Sequence, residues 1–425
     1  MDITRQVKNL QSLLDVSKAM SGEIPLNNLL QVIAQKTKEV LEADRCSLFL
    51  YDETRQELWS KVAQGLGDLQ EIRFPLDRGI AGEVARIGTG INIPDAYTDS
   101  RFNPEIDKQT GYRTHSILCL PMTSSNGRLI GVVEVLNKIG GGSFDQEDEA
   151  LLAALGTHAA IALERSQLIE AYVAKQRTDA ALKLAHDIQM SLLPQTFPPF
   201  PHLSHIDLYA TLRSAWEVGG DLYDFFLTDQ GRIFFAIGDV AGKGVSASLF
   251  MAITRTLIKV SARKGVAPHK VLEEVNTELC CNNDSCTFVT LFCGILDPTS
   301  GEVLYSSAGH NPPLIIRPHQ ELVYLDNGRG VAAGILEGAT YQTHRLQLGA
   351  GDSLFLYTDG VTEAMDPNKA LFSEKRLKDK LQGLQENSSR DIVTSVLVTI
   401  EDFSKGVSQT DDITMMNIKM KTIFV

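Results

Sequence analysis

The sequence predicts an α+β protein with two domains that are joined by a long helix. Strand-like runs of alternating apolar residues, mixed with helical stretches, occur before residue 138 and again after residue 206. Residues 145–193, which lie between these regions, contain no proline and only one glycine, a composition that favours one continuous helix. The length of 425 residues also exceeds that of an ordinary single domain.

The first part of the chain is predicted to form an N-terminal helix and one α+β domain, from the spacing of its apolar residues. The predicted helices are 3–20, 25–43 and 79–88, and the predicted strands are 46–51, 58–62, 117–121 and 129–135. A Ser-Asn-Gly turn joins the last two strands. The predicted boundaries are 1–24 for the N-terminal helix, 25–165 for the first domain, 166–194 for the connecting helix and 195–425 for the second domain.

The long helix carries apolar and small residues at alternating steps of three and four, the spacing of a coiled-coil seam. The seam residues are Leu152, Leu155, Ala159, Ala162, Ser166, Ile169 and Val173. A seam of this kind predicts a homodimer through the connecting helix. The alternative is that its first half packs on its own domain.

The second domain is predicted to be a separate α+β unit. Its predicted strands are 206–210, 233–237, 288–295, 303–307, 314–316, 353–357 and 413–419, and its predicted helices are 245–263 and 268–280. No repeat or low-complexity tract interrupts it.

Composition excludes several classes of function. The net charge of −13 argues against sequence-independent binding to nucleic acid, which needs a cationic face. The six cysteines form no CxxC pair, so zinc is not indicated and free thiols are expected. No run of eighteen apolar residues and no signal peptide is recognised, so we expect a cytoplasmic protein without a membrane partner.

Acidic residues stand at strand ends or in glycine turns of the second domain. They are Asp221 in VGGDLYD, Asp239 in AIGDVAGKG, Asp359 in LYTDG, and the pair Asp411-Asp412 before the last strand. Each one alone fits an ordinary turn, because Asp and Gly are common turn residues. The repetition of strand, Asp and Gly within one domain instead predicts a shared site.

Carboxylates that converge from several strand ends can hold hard divalent cations such as Mn²⁺ or Mg²⁺. Neighbouring glycines let a backbone carbonyl approach the ions. Two such ions clamp and activate a water for attack on phosphorus. Because the sequence has no P-loop and no Cys or Ser nucleophile motif, direct phosphoester hydrolysis is the expected chemistry.

Residues from about 180 to 422 resemble the PPM-type metal-dependent protein phosphatases of the bacterial SpoIIE/RsbU branch. The matching motifs are LAHDIQMSLLP, VGGDLYDFF, GDVAGKGVSASLFMA, SSAGHNPP, YTDGVTEAM and TDDITMM. The resemblance implies an αββα sandwich with two divalent metal ions and the catalytic residues Asp239 and Asp359. The implied metal ligands are Asp221, Asp239, the Val240 carbonyl, Asp359 and either Asp411 or Asp412, with Asp411 preferred.

Three further features of this region have alternative interpretations. Lys243 could neutralise phosphate or be a solvated turn residue. His310 could be a general acid, although a structural turn histidine is favoured. The segment 184–193 precedes the core, and in this branch such a segment couples a regulator to the metal site, which makes it a candidate switch.

Residues 25–165 resemble a GAF domain of the cyclic-nucleotide-binding type found in phosphodiesterases and cyanobacterial cyclases. The sequence signature consists of Asn137, Lys138, Phe144, Asp148 and Glu149. A cyclic phosphodiester suits the helix N-terminus at residues 79–81. By resemblance, the cyclic nucleotide site comprises Ser47, Ile80, Ala81, Asp107, Thr110, Thr114 and Glu134, whereas Lys138 and Asp148 form an ion pair that closes a lid. Gln64 favours cAMP over cGMP, and a GAF domain without ligand is the alternative.

Together these features predict a protein phosphatase that a cyclic nucleotide regulates. By resemblance to the branch, its substrate is a phosphoserine or phosphothreonine on a STAS-type anti-sigma antagonist. The competing hypotheses are a non-catalytic sensor scaffold and a phosphatase that a partner protein controls.

Overall fold

The computed structural model describes residues 26–60, 72–124, 126–281, 283–326 and 330–421, together with Leu14, Lys18 and Gly328. Apart from Leu14 and Lys18, the predicted N-terminal helix 1–24 lies outside the described residues, and so does Gln64. The chain divides into two compact units, Met1–Arg177 and Thr178–Val425. The division falls inside the stretch for which the sequence predicts a connecting helix.

The first unit contains one antiparallel sheet of six strands in the order β3-β2-β1-β6-β5-β4. Its strands are β1 (Ala43–Asp52), β2 (Glu57–Ser60), β3 (Ile72–Pro75), β4 (Ile91–Ile93), β5 (Ile117–Thr123) and β6 (Leu129–Lys138). Its helices are α1 (Leu26–Val40), α2 (Gly79–Ile87), α3 (Glu105–Thr110) and α4 (Gln146–Leu192), the last of which continues into the second unit.

Helices cover both faces of this sheet. On one face, α1 and the beginning of α4 pack against Leu48 and Val133, and on the other face α2 packs against Phe49 and Val132. Because successive residues of a strand point to opposite faces, both faces need apolar residues, and consecutive apolar residues therefore occur in the middle of β1 and β6.

The predicted seam of α4 divides into two parts. Leu152, Leu155 and Ala159 are buried in the core of their own domain. Ile169 and Val173 are each 42% exposed. The first half of the seam is thus used within the domain, and only the second half is free for another partner.

The second unit is a sandwich of two antiparallel five-stranded sheets, in the orders β14-β11-β10-β9-β8 and β13-β12-β15-β16-β7. The first sheet comprises β8 (Leu222–Leu227), β9 (Ile233–Val240), β10 (Val289–Leu296), β11 (Glu302–Ala308) and β14 (His344–Gln347). The second comprises β7 (Ile206–Arg213), β12 (Leu314–Ile316), β13 (Val323–Tyr324), β15 (Ser353–Tyr357) and β16 (Ile413–Met420). The helices are α5 (Val245–Ala262), α6 (Pro268–Cys280), α7 (Asp359–Glu363), α8 (Ser373–Leu381) and α9 (Ser389–Phe403).

The layers follow the predicted αββα order. Apolar side chains from the inner faces of both sheets form the central core, among them Phe235, Leu356 and Met416. Helices α5 and α6 cover the outer face of the first sheet, and α8 and α9 cover that of the second. The α+β fold class and the sandwich are therefore confirmed.

The sequence analysis missed α9. Its residues Ile392, Val396 and Ile400 are buried at helical spacing, and the hydroxyl of Ser388 caps its first turn. The β-branched residues of this segment are typical of strands, which hides the helical period. Packing against the second sheet decides the outcome.

Helix α5 is long and apolar enough, by composition alone, to cross a membrane. Its residues Ala247, Met251 and Ile258 are buried in the core under the first sheet. Only one face of the helix is buried in this way, because Leu249, Ile253 and Val260 are each more than half exposed.

Candidate functional site

The strand ends of the sandwich bring the predicted acidic residues together. Asp239 lies at the end of β9, and Asp359 follows β15 after one intervening residue. Asp411 and Asp412 directly precede β16, and Asp221 directly precedes β8. The four positions therefore meet at one edge of the two sheets.

Asp221 is almost fully buried, with 1% of its surface exposed. Its Oδ2 accepts hydrogen bonds from the hydroxyls of Thr358 at 2.8 Å and Thr414 at 2.5 Å. Burial raises the pKa of Asp221, the charges of Asp239 and Asp412 raise it further, and the two threonine hydroxyls oppose this shift. The threonines thus fix the direction in which this carboxylate points.

Asp239 lies at the electrostatic centre of the cluster. Burial and the charges of Asp359 and Asp411 raise the pKa of Asp239 to about 7, although a hydrogen bond with Asp221 opposes them. Burial, with Glu363 and Asp411, also raises the pKa of Asp359. Carboxyl groups that repel each other in this way are expected where a bound cation would compensate their charge.

Asp411 and Asp412 have different surroundings. Asp412 is 6% exposed, and its carboxylate accepts from the backbone N–H of Ala215 and Gly220, each at 2.8 Å. The side chain of Asp411 is 37% exposed, and its Oδ2 lies 3.0 Å from Nζ of Lys243. Asp412 therefore holds the loop that leads to Asp221, whereas Asp411 keeps an oxygen toward the open side.

Three glycines at the site have no room for a side chain. A Cβ on Gly219 would lie 1.9 Å from Oδ2 of Asp412, and one on Gly360 would lie 2.0 Å from the backbone oxygen of Asp412. A Cβ on Gly220 would lie 2.8 Å from the Val240 carbonyl oxygen. The glycines thus allow the backbone to approach the carboxylates and the Val240 carbonyl closely.

The donor set fits hard divalent cations. Carboxylates and a backbone carbonyl are the ligands that Mn²⁺ and Mg²⁺ prefer, and the mutual repulsion at Asp239 would be relieved by a cation. Among the described residues, no three His, Cys, Asp or Glu side chains already converge at metal-binding spacing. Because Asp411 contacts Lys243, a bound ion requires its side chain to turn.

The contacts of Lys243 and His310 bear on the alternative interpretations that the sequence leaves for them. Lys243 donates to the backbone oxygen of Thr410 and pairs with Asp411, so it lies at the carboxylate cluster. His310 is 5% exposed, and its Nδ1 lies 2.9 Å from the hydroxyl of Thr290. Burial lowers the pKa of His310 to about 4, so its ring is neutral at pH 7. These features favour the structural interpretation of His310.

The last turns of α4 contact the loop before Asp221. The buried Gln189 side chain donates to the backbone oxygen of Gly219 at 2.7 Å and accepts from its N–H at 3.1 Å. His186 contacts the backbone oxygen of Glu217 at 2.7 Å. The candidate switch segment thus holds the backbone two residues from Asp221.

The first unit contains a cavity of about 310 Å³ between the sheet, the start of α2 and the segment that includes α3. Six predicted nucleotide-binding residues line it: Ser47, Ile80, Ala81, Asp107, Thr114 and Glu134. The side chain of Thr110 lies outside the description. The sequence analysis also missed three basic lining residues, Arg45, Arg73 and Arg78.

The three arginines make the cavity suited to an anion. Arg78 precedes the N-terminus of α2, where unpaired backbone N–H groups favour phosphate. The guanidinium of Arg45 stacks on the ring of Tyr112 at 3.5 Å. Arg73 lies 3.4 Å from Asp52. Their positions before a helix and on the two strands β1 and β3 are the signal that the sequence offers.

Asp107 and Thr114, which both line the cavity, are hydrogen-bonded to each other. The carboxylate of Asp107 accepts from the N–H of Thr114 at 2.7 Å and from its hydroxyl at 2.9 Å. Tyr97 also donates to Asp107, at 3.1 Å. These contacts fix the wall of the cavity.

Glu134 also lines the cavity, and burial raises its pKa to about 7. This value lies above the ordinary 4.5, so the folded protein holds a proton that the unfolded chain has already released between these pH values. We expect stability to fall as pH rises from about 4.5 to 7, by at most about 1.4 kcal/mol per pH unit, the value for one proton. Thermal unfolding of the wild type and Glu134→Gln across pH 5 to 8 measures this, and equal slopes in the two proteins would contradict it.

The signature residues Asn137 and Lys138 hold different parts of the domain. Asn137 has φ +54° and accepts from the N–H of His115 at 2.6 Å, while its amide donates to the Tyr112 hydroxyl at 2.9 Å. Lys138 lies 2.8 Å from Asp148 at the start of α4 and donates to the backbone oxygen of Leu41. The predicted ion pair is confirmed, but it fixes the start of α4, and Asn137 is the residue that holds the cavity wall.

The remaining signature residues flank this ion pair. Phe144 is 4% exposed in the core, and Glu149 is exposed.

Comparisons with known families agree with the division of the chain into two units. Residues 25–163 match the GAF domain model, and residues 229–421 match the model described as stage II sporulation protein E (SpoIIE).

Two curated relatives are each similar to a part of the chain. Protein IcfG of Synechocystis sp. is 29% identical over 56% of this chain and 41% of its own length. Dual 3′,5′-cyclic-AMP and -GMP phosphodiesterase 11A of Takifugu rubripes is 38% identical over 41% of this chain and 21% of its own length. The chain therefore spans less than half of either relative.

Among solved structures, the SiaA-PP2C domain of Pseudomonas aeruginosa matches 58% of this chain and 98% of its own length, with a TM-score of 0.50 and 20% identity. At that identity, the match shows a shared fold.

Proposed function

Because the chain carries a GAF domain and a SpoIIE-type PP2C phosphatase domain, we propose that it is a metal-dependent protein phosphatase that a cyclic nucleotide regulates. The observation that carries the catalytic part is the carboxylate cluster around Asp239, whose pKa burial and neighbouring carboxylates raise to about 7. Asp221, Asp239, the Val240 carbonyl, Asp359 and Asp411 would hold two divalent ions. Such ions lower the pKa of water and neutralise phosphoryl charge.

The chain's own residues have distinct tasks in this proposal. Thr358 and Thr414 orient Asp221 by their hydrogen bonds. Asp412 fixes the loop at Gly220. Lys243 lies at the cluster and can exchange Asp411 for a substrate phosphoryl oxygen, because both are anionic.

Hydrolysis of p-nitrophenyl phosphate by the full chain tests the catalytic part. We expect turnover with Mn²⁺ that EDTA abolishes and that added Mn²⁺ restores. Turnover that persists in EDTA would contradict a metal-dependent site.

The proposed substrate is phosphoserine or phosphothreonine on a STAS-type anti-sigma antagonist, which rests on the likeness to the SpoIIE family. Release of phosphate from such a phosphorylated protein tests the substrate class. No release, with p-nitrophenyl phosphate still hydrolysed, would refute it. We also propose a cytoplasmic location, which cell fractionation tests.

The regulatory ligand is proposed to be a cyclic nucleotide, with cAMP favoured over cGMP. Three arginines line the cavity, and one of them, Arg78, lies at a helix N-terminus, which supports an anionic ligand. The 38% identity with a dual cyclic-AMP and cyclic-GMP phosphodiesterase supports a cyclic nucleotide. Competition between the two nucleotides in a binding titration decides between them.

Arg78→Ala is expected to weaken cyclic nucleotide binding about tenfold, because a charge-assisted contact of about 1.4 kcal/mol is lost. Arg86→Ala is the matched control, since Arg86 lies on the same helix but pairs with Glu83 outside the cavity. Isothermal titration calorimetry measures both. Equal affinities of the two variants would argue against a phosphate at this end of α2.

Nucleotide binding is proposed to act through α4 on the loop at Gly219. Gln189→Ala removes both hydrogen bonds to Gly219, so the rates with and without nucleotide are expected to become equal. Gln195→Ala is the control, because Gln195 is exposed and its side chain donates to the backbone oxygen of Met190, away from Gly219. A Gln189 variant with the full nucleotide response would exclude this route.

We also propose a homodimer through the connecting helix. Leu168, Ile169, Tyr172 and Val173 are all exposed by 42% or more, which is unusual for neighbouring apolar residues on one helix. Sedimentation equilibrium of the full chain tests this, and a monomeric mass would contradict it.

A further inference from the structure

A cavity of about 280 Å³ lies beside the carboxylate cluster and shares Asp411 with it. Its walls are the end of α9, the segment 404–411 and the residues that follow α7. Gly360, Thr410 and Asp411 line it, so it shares its border with the proposed metal site. Asp411 therefore belongs both to the wall of this cavity and to the proposed metal site.

The floor of the cavity is apolar. Ala364, Ile400 and Ile413 belong to the buried core under the second sheet, and Met365 and Val407 are half-buried beside them. The accessible apolar surface of the cavity is therefore small, and the charged residues Glu401, Lys405 and Asp411 also line it. Burial of apolar surface there would be favourable by about 25 cal/mol per Å².

The rim of the cavity is held in place by polar contacts. The amide of Gln409 donates to the backbone oxygens of Arg213 and Asp411, each at 2.8 Å. Arg213 also pairs with Glu401. The segment 404–411 is therefore tied to β7 and to α9, so the cavity has a built wall next to the cluster.

We propose that this cavity binds a large apolar side chain of the substrate polypeptide, one or two residues from the phosphorylated serine or threonine. The inference rests on the proposed phosphatase function and specifies its substrate class further. Consecutive Cα atoms are about 3.8 Å apart, so a residue at this separation reaches a cavity that borders the phosphoryl site. A charged side chain would lose its hydration against the apolar floor.

Phosphoserine peptides that differ only in one flanking residue test this with the full chain. Leucine, glycine or lysine is placed at one of four positions, which are the two residues before and the two residues after phosphoserine. Fluorescence anisotropy gives the peptide affinity, and phosphate release with Mn²⁺ gives kcat/KM. We expect the leucine peptide at one of these positions to bind about tenfold more tightly than the lysine peptide.

Val407→Asp is expected to reverse this preference toward lysine, because it places a carboxylate in the cavity wall. Val398→Asp is the matched control, since Val398 lies exposed on α9 and does not line the cavity. Its preference is expected to equal that of the wild type. Equal affinity of the wild type for all peptides, or an unchanged preference in Val407→Asp, would overturn the proposal.

The two proposals fail in different ways. Loss of hydrolysis of every substrate, p-nitrophenyl phosphate included, counts against the phosphatase function, and the anisotropy measurement still decides the binding preference. Because the wild type alone gives the peptide series, the result does not depend on the folding of a variant.

Discussion

Asp239→Asn is expected to lower Mn²⁺-dependent hydrolysis of p-nitrophenyl phosphate by at least about 100-fold, the usual cost of losing a central charged group in an active site. Asp239 has Asp221, Asp359 and Asp411 as its electrostatic neighbours. No other described side chain can replace a carboxylate at the end of β9. Initial rates at saturating Mn²⁺ measure the loss.

The same variant is expected to be at least as stable as the wild type in EDTA. Burial and the repulsion from Asp359 and Asp411 raise the pKa of Asp239, so the native state without metal is strained by its charge. An amide removes that charge, and thermal unfolding in EDTA measures the gain. A site that gives up stability for function is expected to behave in this way.

Asp229→Asn is the matched control, because its side chain is 64% exposed in the same domain and its contact with Arg263 is 3.9 Å long. Rate and stability are expected to stay near those of the wild type. Full activity in Asp239→Asn, or an equal loss in Asp229→Asn, would refute the role of the cluster.

Asp412→Asn is expected to lower mainly the stability of the protein, and Asp411→Asn is expected to lower mainly its affinity for Mn²⁺. Asp412→Asn should cost about 2–4 kcal/mol of unfolding free energy, because buried N–H groups of the loop at Gly220 lose a charged acceptor. Asp411→Asn should cost about 0–1 kcal/mol, as an exposed ion pair does, but should weaken Mn²⁺ binding at least about tenfold.

Chemical denaturation in EDTA measures the first effect, and calorimetric titration with Mn²⁺ measures the second. The two variants are each other's controls, since they differ by one position. If Asp412→Asn keeps full stability and loses Mn²⁺ binding while Asp411→Asn keeps it, the ligand assignment must be exchanged.

Much of the candidate site follows from local sequence patterns. An apolar run that ends in Asp and Gly predicts a carboxylate at a strand end, and this holds for Asp239 and Asp359. Antiparallel pairing brings Asp221 beside Asp239 in one sheet and Asp411 beside Asp359 in the other, and the packing of the two sheets brings these pairs together. The close approach of the backbone at glycines 219, 220 and 360 can also be predicted, since each glycine stands in an acidic motif.

Other features are not encoded locally. Asp411 and Asp412 are identical neighbours, and only the distant backbone of residues 215–220 separates their tasks. Arg45, Arg73 and Arg78 come from three separate elements, so no spacing connects them before the sheet forms. The helix α9 has the composition of a strand, and its packing against the second sheet overrides that preference.

The sequence by itself determined the α+β class, the two domains, the long helix between them and the acidic residues at strand ends. These depend on the period of apolar residues and on turn chemistry, which act over a few residues. Only the tertiary structure decided which aspartate supports the loop, which half of the α4 seam is buried, and where a cavity opens beside the cluster. Those outcomes depend on contacts between residues far apart in the chain, which the pattern of any one segment does not contain.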